Sequence, residues 1–447
     1  MRNRIHSPGI RAWACIAALV LPVSAQSAAK GEADYEVWII DQSDSPGLKH
    51  GGTLYIFPGT RFTDGRTPSP DEALKIDLGG ASSTLCHERT GANPVRPHMA
   101  LFNSNGTHAV IAFVASGHVL VLDAATRAPV DCLRTTESPT GRQAHAAFPA
   151  TDGSYILVAN QNGKRLERID SDFKGGRFSH NAEATLDLAT CTTPSGQPCQ
   201  AVELRPDNAP ICPVISKADD LAFVTLRGGG MLVVDPRPTP MRIVAEYDMK
   251  TIHGNGCGGL QHGDNLYVNS GGRPGPMEHL HVYGFDVYRF GLGAFRAGSE
   301  PTVNEPEPTV VYQVDGAHDS HGMVLAGDAG RYLWAFDRHA DSAEVFATAD
   351  DRHVATIALN GKLTDNAAPD LSDVSPSGNL VFVALRGPTP LSGDPHNARG
   401  ATPGLGIIQV TDDGRGGELK GIVRFTNVGT DGVERADPHG LRVRRVN

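Results

Sequence analysis

A unit of one hairpin turn followed by a β-rich run recurs along most of this chain, and no other feature restricts the fold as strongly. Arg96-Pro97-His98 leads to the turn Asn105-Gly106, the run His108-Ala-Val-Ile-Ala-Phe113 and then Gly117-His-Val-Leu-Val-Leu-Asp123. The order repeats at Gln143-Ala-His145, with the turn Asp152-Gly153, the run Tyr155-Ile-Leu-Val-Ala-Asn160 and Gly163 to Asp170. A third copy starts at Ile211-Cys212 and turns at Asp219-Asp220, and a looser fourth runs from Ile252-His253 through Cys257 to His281. A fifth begins at Asp319-Ser-His321 and a sixth at Asp370. Each unit ends in one more strand, such as Arg242-Ile-Val-Ala-Glu246, so four antiparallel strands are expected per unit, which is a propeller blade.

The two ends of the chain supply what is left over. Asp437-Pro-His439-Gly-Leu-Arg-Val443 reads as an innermost strand with nothing after it, while Glu36-Val-Trp-Ile-Ile-Asp41 and Thr53-Leu-Tyr-Ile-Phe57 lack one. Joined, they make a seventh blade and remove the exposed strand edges of an open ring. The expectation is an all-β, seven-bladed β-propeller closed by pairing of N- and C-terminal strands, as a single domain over residues 26–447. The irregular fourth copy is the one that leaves the blade count open.

Residues 1–25 read as a signal peptide: Arg2, Arg4 and Arg11 precede a short apolar stretch over 12–23, then Val23-Ser24-Ala25 offers a small-residue cleavage site. The stretch is too short for a membrane span and no second long apolar run follows it. A periplasmic or secreted location is expected. The whole chain carries a net charge of −10, and losing three arginines with the signal makes the remainder more acidic still, which excludes a nucleic-acid footprint. In an oxidising compartment Cys86, Cys132, Cys191, Cys199, Cys212 and Cys257 read as disulfide candidates. Cys191 with Cys199 makes a local staple, Cys86 with Cys132 brackets one repeat, and Cys212 with Cys257 is the remaining pair.

The units resemble the YVTN-type β-propeller superfamily in Arg96-Pro97-His98, Asp152-Gly153, Val158-Ala159-Asn160 and the run from Gly117 to Asp123. The resemblance implies architecture more than activity: lactonase-like enzymes and metal-handling periplasmic proteins share it.

Chemistry is expected at the start of each innermost strand, which faces the axial channel of a propeller. Aligned on the turns, those positions hold His98, His145, Cys212, His321, Asp370 and His439. Imidazoles with a carboxylate or thiolate make a borderline-soft site, so zinc or copper is the expected ion. Asp319 and Asp437 stand two residues before His321 and His439 and are expected to orient those imidazoles, because i and i+2 share a strand face. Cys212 has two readings, a staple to Cys257 or a thiolate ligand. The histidines also have a plainer reading, as polar groups of the channel or as contacts to a substrate. His253, Cys257 and His262 are further donors near the channel mouth. His279 and His281 read as surface residues, and His108 and His118 as packing or outer-face ones. The Pro- and Gly-rich loop 387–404 is long enough to cover a channel mouth.

No nucleophile elbow, phosphate-binding loop, dinucleotide fingerprint or haem-attachment motif occurs. Three functions remain: a periplasmic protein that stores a metal ion or delivers it to a transport component, a lactonase-like or metal-assisted hydrolase of a small molecule, and a protein-interaction scaffold.

Overall fold

The computed structural model describes residues 34–446 except 255, 275–280, 298–299 and 393–397. The expected signal peptide lies outside the described residues. Strands dominate and fall into seven sheets, each the blade of a propeller. Blade 1 joins the two chain ends: Pro438–Arg445 is innermost, then Tyr35–Asp41, Thr53–Pro58 and Leu74–Asp77. Blades 2 to 7 follow in chain order, with innermost strands Pro97–Phe102, Ala144–Pro149, Pro210–Ile215, Gly259–His262, Ser320–Ala326 and Pro369–Val374. The expected closure is therefore present, with Val37 opposite Val443 and Ile39 opposite Leu441.

Turn chemistry sets the hairpins. Gly106 and Gly153 sit at φ 67° and 74°, the left-handed region that costs glycine nothing. Asp219 takes the same region at φ 57°, which explains how Asp219-Asp220 serves in the third copy without glycine.

Continuous apolar strands become core because each sheet is covered on both faces by its neighbours. Phe382, Ile407, Tyr35 and Phe57 pack between blades 7 and 1, and Trp38, Leu54, Ile111 and Leu120 between blades 1 and 2. The fourth copy is a complete blade, with strands Gly259–His262, Asn265–Pro274, His281–Gly291 and Thr309–Asp315. Its sequence departs from the pattern because the entry 254–259 is glycine-rich to let backbones touch. A Cβ on Gly258 would stand 2.2 Å from the His321 carbonyl oxygen. A short strand, Thr302–Val303, adds in parallel to the outer edge of blade 4 at Ala245 and Glu246. The helix Ala81–Thr90, unannounced by any repeat, bridges blades 1 and 2.

All three disulfides form with the expected partners: Cys86–Cys132, Cys191–Cys199 and Cys212–Cys257, with Cα separations of 5.0, 5.3 and 5.2 Å. The second reading of Cys212 is thereby corrected. With its sulfur bonded to Cys257 it has no thiolate to offer.

Candidate metal centre on the propeller axis

One local device aims six side chains at the axis. The innermost strands slip in register at His98, His145, Cys212, His321, Asp370 and His439, each lying in a step where the pairing with the next strand is interrupted. Such bulges turn a side chain out of the strand's regular alternation. Glycines following two of these residues let the blades close in. Gly322 packs on the Asp370 carbonyl and Gly440 on the His98 carbonyl. A Cβ at either position would stand 2.2 or 2.6 Å from the respective oxygen, so neither tolerates a side chain.

His321, Asp370 and His439 meet on blades 6, 7 and 1. Nε2 of His321 lies 3.3 Å from Nε2 of His439 and 3.1 Å from Oδ1 of Asp370, and His439 Nε2 lies 3.3 Å from the same oxygen. All three residues are buried. His439 donates from Nδ1 to the His98 carbonyl at 3.0 Å, which leaves its Nε2 a lone pair facing the other two atoms. His98 stacks on His439 with ring centroids 3.6 Å apart and donates from Nδ1 to Gln42 Oε1 at 2.8 Å. His145 follows at 4.7 Å from His98 and donates to the Ile211 carbonyl at 2.9 Å. The imidazoles thus form a row along the axis, of which His321 and His439 converge with Asp370 while His98 and His145 extend it. Asp370 Oδ1, His98 Nε2 and His321 Nδ1 are buried with no hydrogen-bond partner among the described residues.

Burial pushes the imidazoles toward the neutral, ligating form: His98 and His321 are held well below their ordinary value, His439 falls to about 3 and His145 to about 4. Burial opposes the charge on Asp370. The facing His321 and His439 rings, and after them the guanidiniums of Arg338 and Arg386, whose Nη1 atoms both donate to Oδ2 at 3.2 and 2.8 Å, outweigh it and hold the carboxyl below the usual carboxylate range.

Asp319 and Asp437 do a different job from the one expected. Asp319 accepts from Arg338 at 2.6 and 2.9 Å, and Asp437 accepts from Arg386 at 2.7 and 2.8 Å. They fix the arginines that fix Asp370, and do not touch the imidazoles. The reason is that each stands before the bulge that follows it, so the i, i+2 rule of a regular strand fails there. Arg338 and Arg386 were missed by sequence reasoning. The repeated Phe223-Val-Thr-Leu-Arg227-Gly and Phe382-Val-Ala-Leu-Arg386-Gly was a signal for the second of them. This buried network sets Asp319, Asp370 and Asp437 against Arg338 and Arg386, and burial pushes the Asp319 carboxyl up.

Other candidates fall elsewhere. His253 binds Asp286, Cys257 is in the disulfide, and His262 lies against Gly330. His118 is enclosed between Thr90 and Ser116, and His108 packs on Phe173. His279 and the side chain of His281 lie outside the described residues. In the loop 387–404, Leu391 and Ser392 reach the ring: Leu391 N donates to Asp437 at 2.7 Å and Ser392 Oγ to Gln42 at 2.8 Å.

These features define a class, a seven-bladed β-propeller with a buried axial histidine–aspartate cluster. No family model matches the chain, and no curated protein matches it by sequence. Among solved structures it is similar in fold to a periplasmic gluconolactonase from Pseudomonas aeruginosa, at 14% identity and TM-score 0.56, covering 93% of this chain and 100% of that one. It is also similar to a hypothetical selenium-binding protein from Sulfolobus tokodaii, at 9% identity and TM-score 0.59, covering 93% and 95% of the two chains. A 6-phosphogluconolactonase-like protein of Bacteroides fragilis matches at 13% identity and TM-score 0.54, over 93% and 98%.

Proposed function

We propose that this chain is an exported propeller built around one transition-metal ion, zinc or copper, bound by His321, His439 and Asp370. The observation that carries the reading is the spacing of the three donor atoms, 3.1 to 3.3 Å. Ligands at the 2.0–2.1 Å of a tetrahedral site stand about 3.3 Å apart. Asp370 Oδ1, buried without a hydrogen-bond partner among the described residues, points the same way. Imidazole with carboxylate suits zinc and copper alike. Three disulfides suit a protein that leaves the reducing cytosol. The depth of the site favours an ion held for long periods, in storage or as a resident centre, over one handed on quickly to a transporter.

A second reading, lactone hydrolysis, draws support from the gluconolactonase among its structural neighbours. In it the ion would supply carbonyl polarisation, with the His98 ring, whose Nε2 has no hydrogen-bond partner among the described residues, stacked on His439 beside it.

The test is elemental analysis of the untagged protein purified from the periplasm, beside a His321→Ala/His439→Ala variant, with a panel of lactones assayed on both. Near-stoichiometric zinc or copper, absent from the variant, is the expected result. No bound metal after loading with either ion would overturn the proposal and leave the cluster a hydrogen-bonded network. Lactone turnover lost in the variant would select the hydrolase reading over storage.

A further inference from the structure

At the other end of the histidine row stands a second group of donors. A ring nitrogen of His145 and the sulfurs of Cys212 and Cys257 lie within 4.8 Å of one another, and both sulfurs are buried. His145 donates from Nδ1 to the Ile211 carbonyl, the residue before Cys212, so its Nε2 is left with a lone pair on the same short stretch of wall. The disulfide joins the innermost strand of blade 4 to the entry of blade 5, at the ring position where blades 1, 2, 3, 6 and 7 present imidazoles or a carboxylate.

We infer that reduction of Cys212–Cys257 creates a second metal site on the axis, a Cys–Cys–His set for a soft ion such as Cu⁺ or Zn²⁺, so that the protein's metal capacity depends on its redox state. The proposal goes beyond the histidine–aspartate site and does not require that site to be occupied. In the reduction, a dithiol donor gives two electrons and two protons: its thiolate attacks one sulfur, the Cys212–Cys257 bond breaks, and the donor leaves as its own disulfide. The two new thiols lose their protons when the ion binds. Two Zn–S bonds of about 2.3 Å set sulfurs about 3.8 Å apart, so the two sulfurs have to separate to that distance once the bond is broken. Two thiolates and one imidazole make a softer set than His321, His439 and Asp370, so the ends of the row differ in the ions they prefer. His98 stands between them, within 4.7 Å of His145 and 3.6 Å of His439, centroid to centroid.

The experiment titrates Cd²⁺ and then Cu⁺ into the His321→Ala/His439→Ala protein, which leaves the first site unable to bind, before and after treatment with a phosphine under argon. Thiol counting reports which bonds have opened, and the near-ultraviolet thiolate-to-cadmium band reports binding. The reduced protein is expected to take up an additional equivalent that the oxidised protein does not. Adding Cys212→Ala/Cys257→Ala should abolish the band, although the four other cysteines are still reduced. Should that variant fail to fold, His145→Ala retains every cysteine and is expected to bind at least tenfold more weakly. A disulfide that the phosphine leaves closed, a band that survives loss of both cysteines, or an affinity unchanged in His145→Ala would each overturn the inference.

Discussion

Arg386 is the residue on which the axial cluster turns. It spans Asp370 and Asp437 with full burial, and its guanidinium also reaches the Ser392 carbonyl at 2.7 Å. Arg386→Gln removes one partner of a buried ion network, a change that typically costs about 3–5 kcal/mol. We expect a loss of that order in urea denaturation, and a roughly 10- to 100-fold loss of metal affinity from a carboxylate no longer held in place. A variant that loses stability but binds metal as before would show that Arg386 does not position Asp370. His118 provides a separate test, by pH. Burial lowers it to about 4 from an ordinary value of 6.5. The unfolded chain therefore binds the extra proton first as pH falls. The stability that the neutral ring contributes is complete above about pH 6.5 and is lost toward pH 4. The stability of the wild type relative to His118→Asn, measured by urea denaturation at stepped pH, should fall over that interval. A flat difference would mean that the ring charges without cost.

Within single elements, a few covalent and steric devices hold the blades in place. The helix Ala81–Thr90 is tied to the outer strand Pro129–Arg134 through Cys86–Cys132, and to blade 2 again through Thr90 and His118. Opening that bond as Cys86→Ala/Cys132→Ala should cost about 2–4 kcal/mol, because it closes a long loop in the unfolded chain. Thermal unfolding would read this as a lower Tm with metal content unchanged, since the helix is remote from the axis. The elements were largely legible in the sequence: alternating turn residues and β-branched runs located the strands, including those at the chain ends. What escaped was the bulge in six of the seven innermost strands. It needs no distinctive residue of its own, since Pro, Ala and Ser each precede one of the re-aimed side chains.

The ring as a whole depends on one seam, the pairing of Pro438–Arg445 with Tyr35–Asp41. Truncation before residue 437 would strip blade 1 of its inner strand, remove His439 from the cluster and expose an apolar edge. Size-exclusion chromatography is expected to show larger oligomers or aggregates in place of the species that the intact chain forms. A compact, monodisperse truncated chain would mean that closure is not what keeps the ring together.

The repeat, the blade architecture, the closure by the two chain ends and the preferred cysteine pairs were all legible in the residues alone. These are properties of local periodicity, written every few residues and copied from unit to unit. The sequence also named the axial histidines and Asp370, because they occupy equivalent places in the repeat. That His321, His439 and Asp370 converge while His98 and His145 extend the row follows from the packing of the folded ring. It alone gave Asp319 and Asp437 to arginines, and closed Cys212 onto Cys257 beside His145. Those outcomes depend on which blades become neighbours when the ring closes and on how far each bulge turns a side chain. Such distances are set by the packing of seven sheets around one axis, and no stretch of sequence within a single blade contains them.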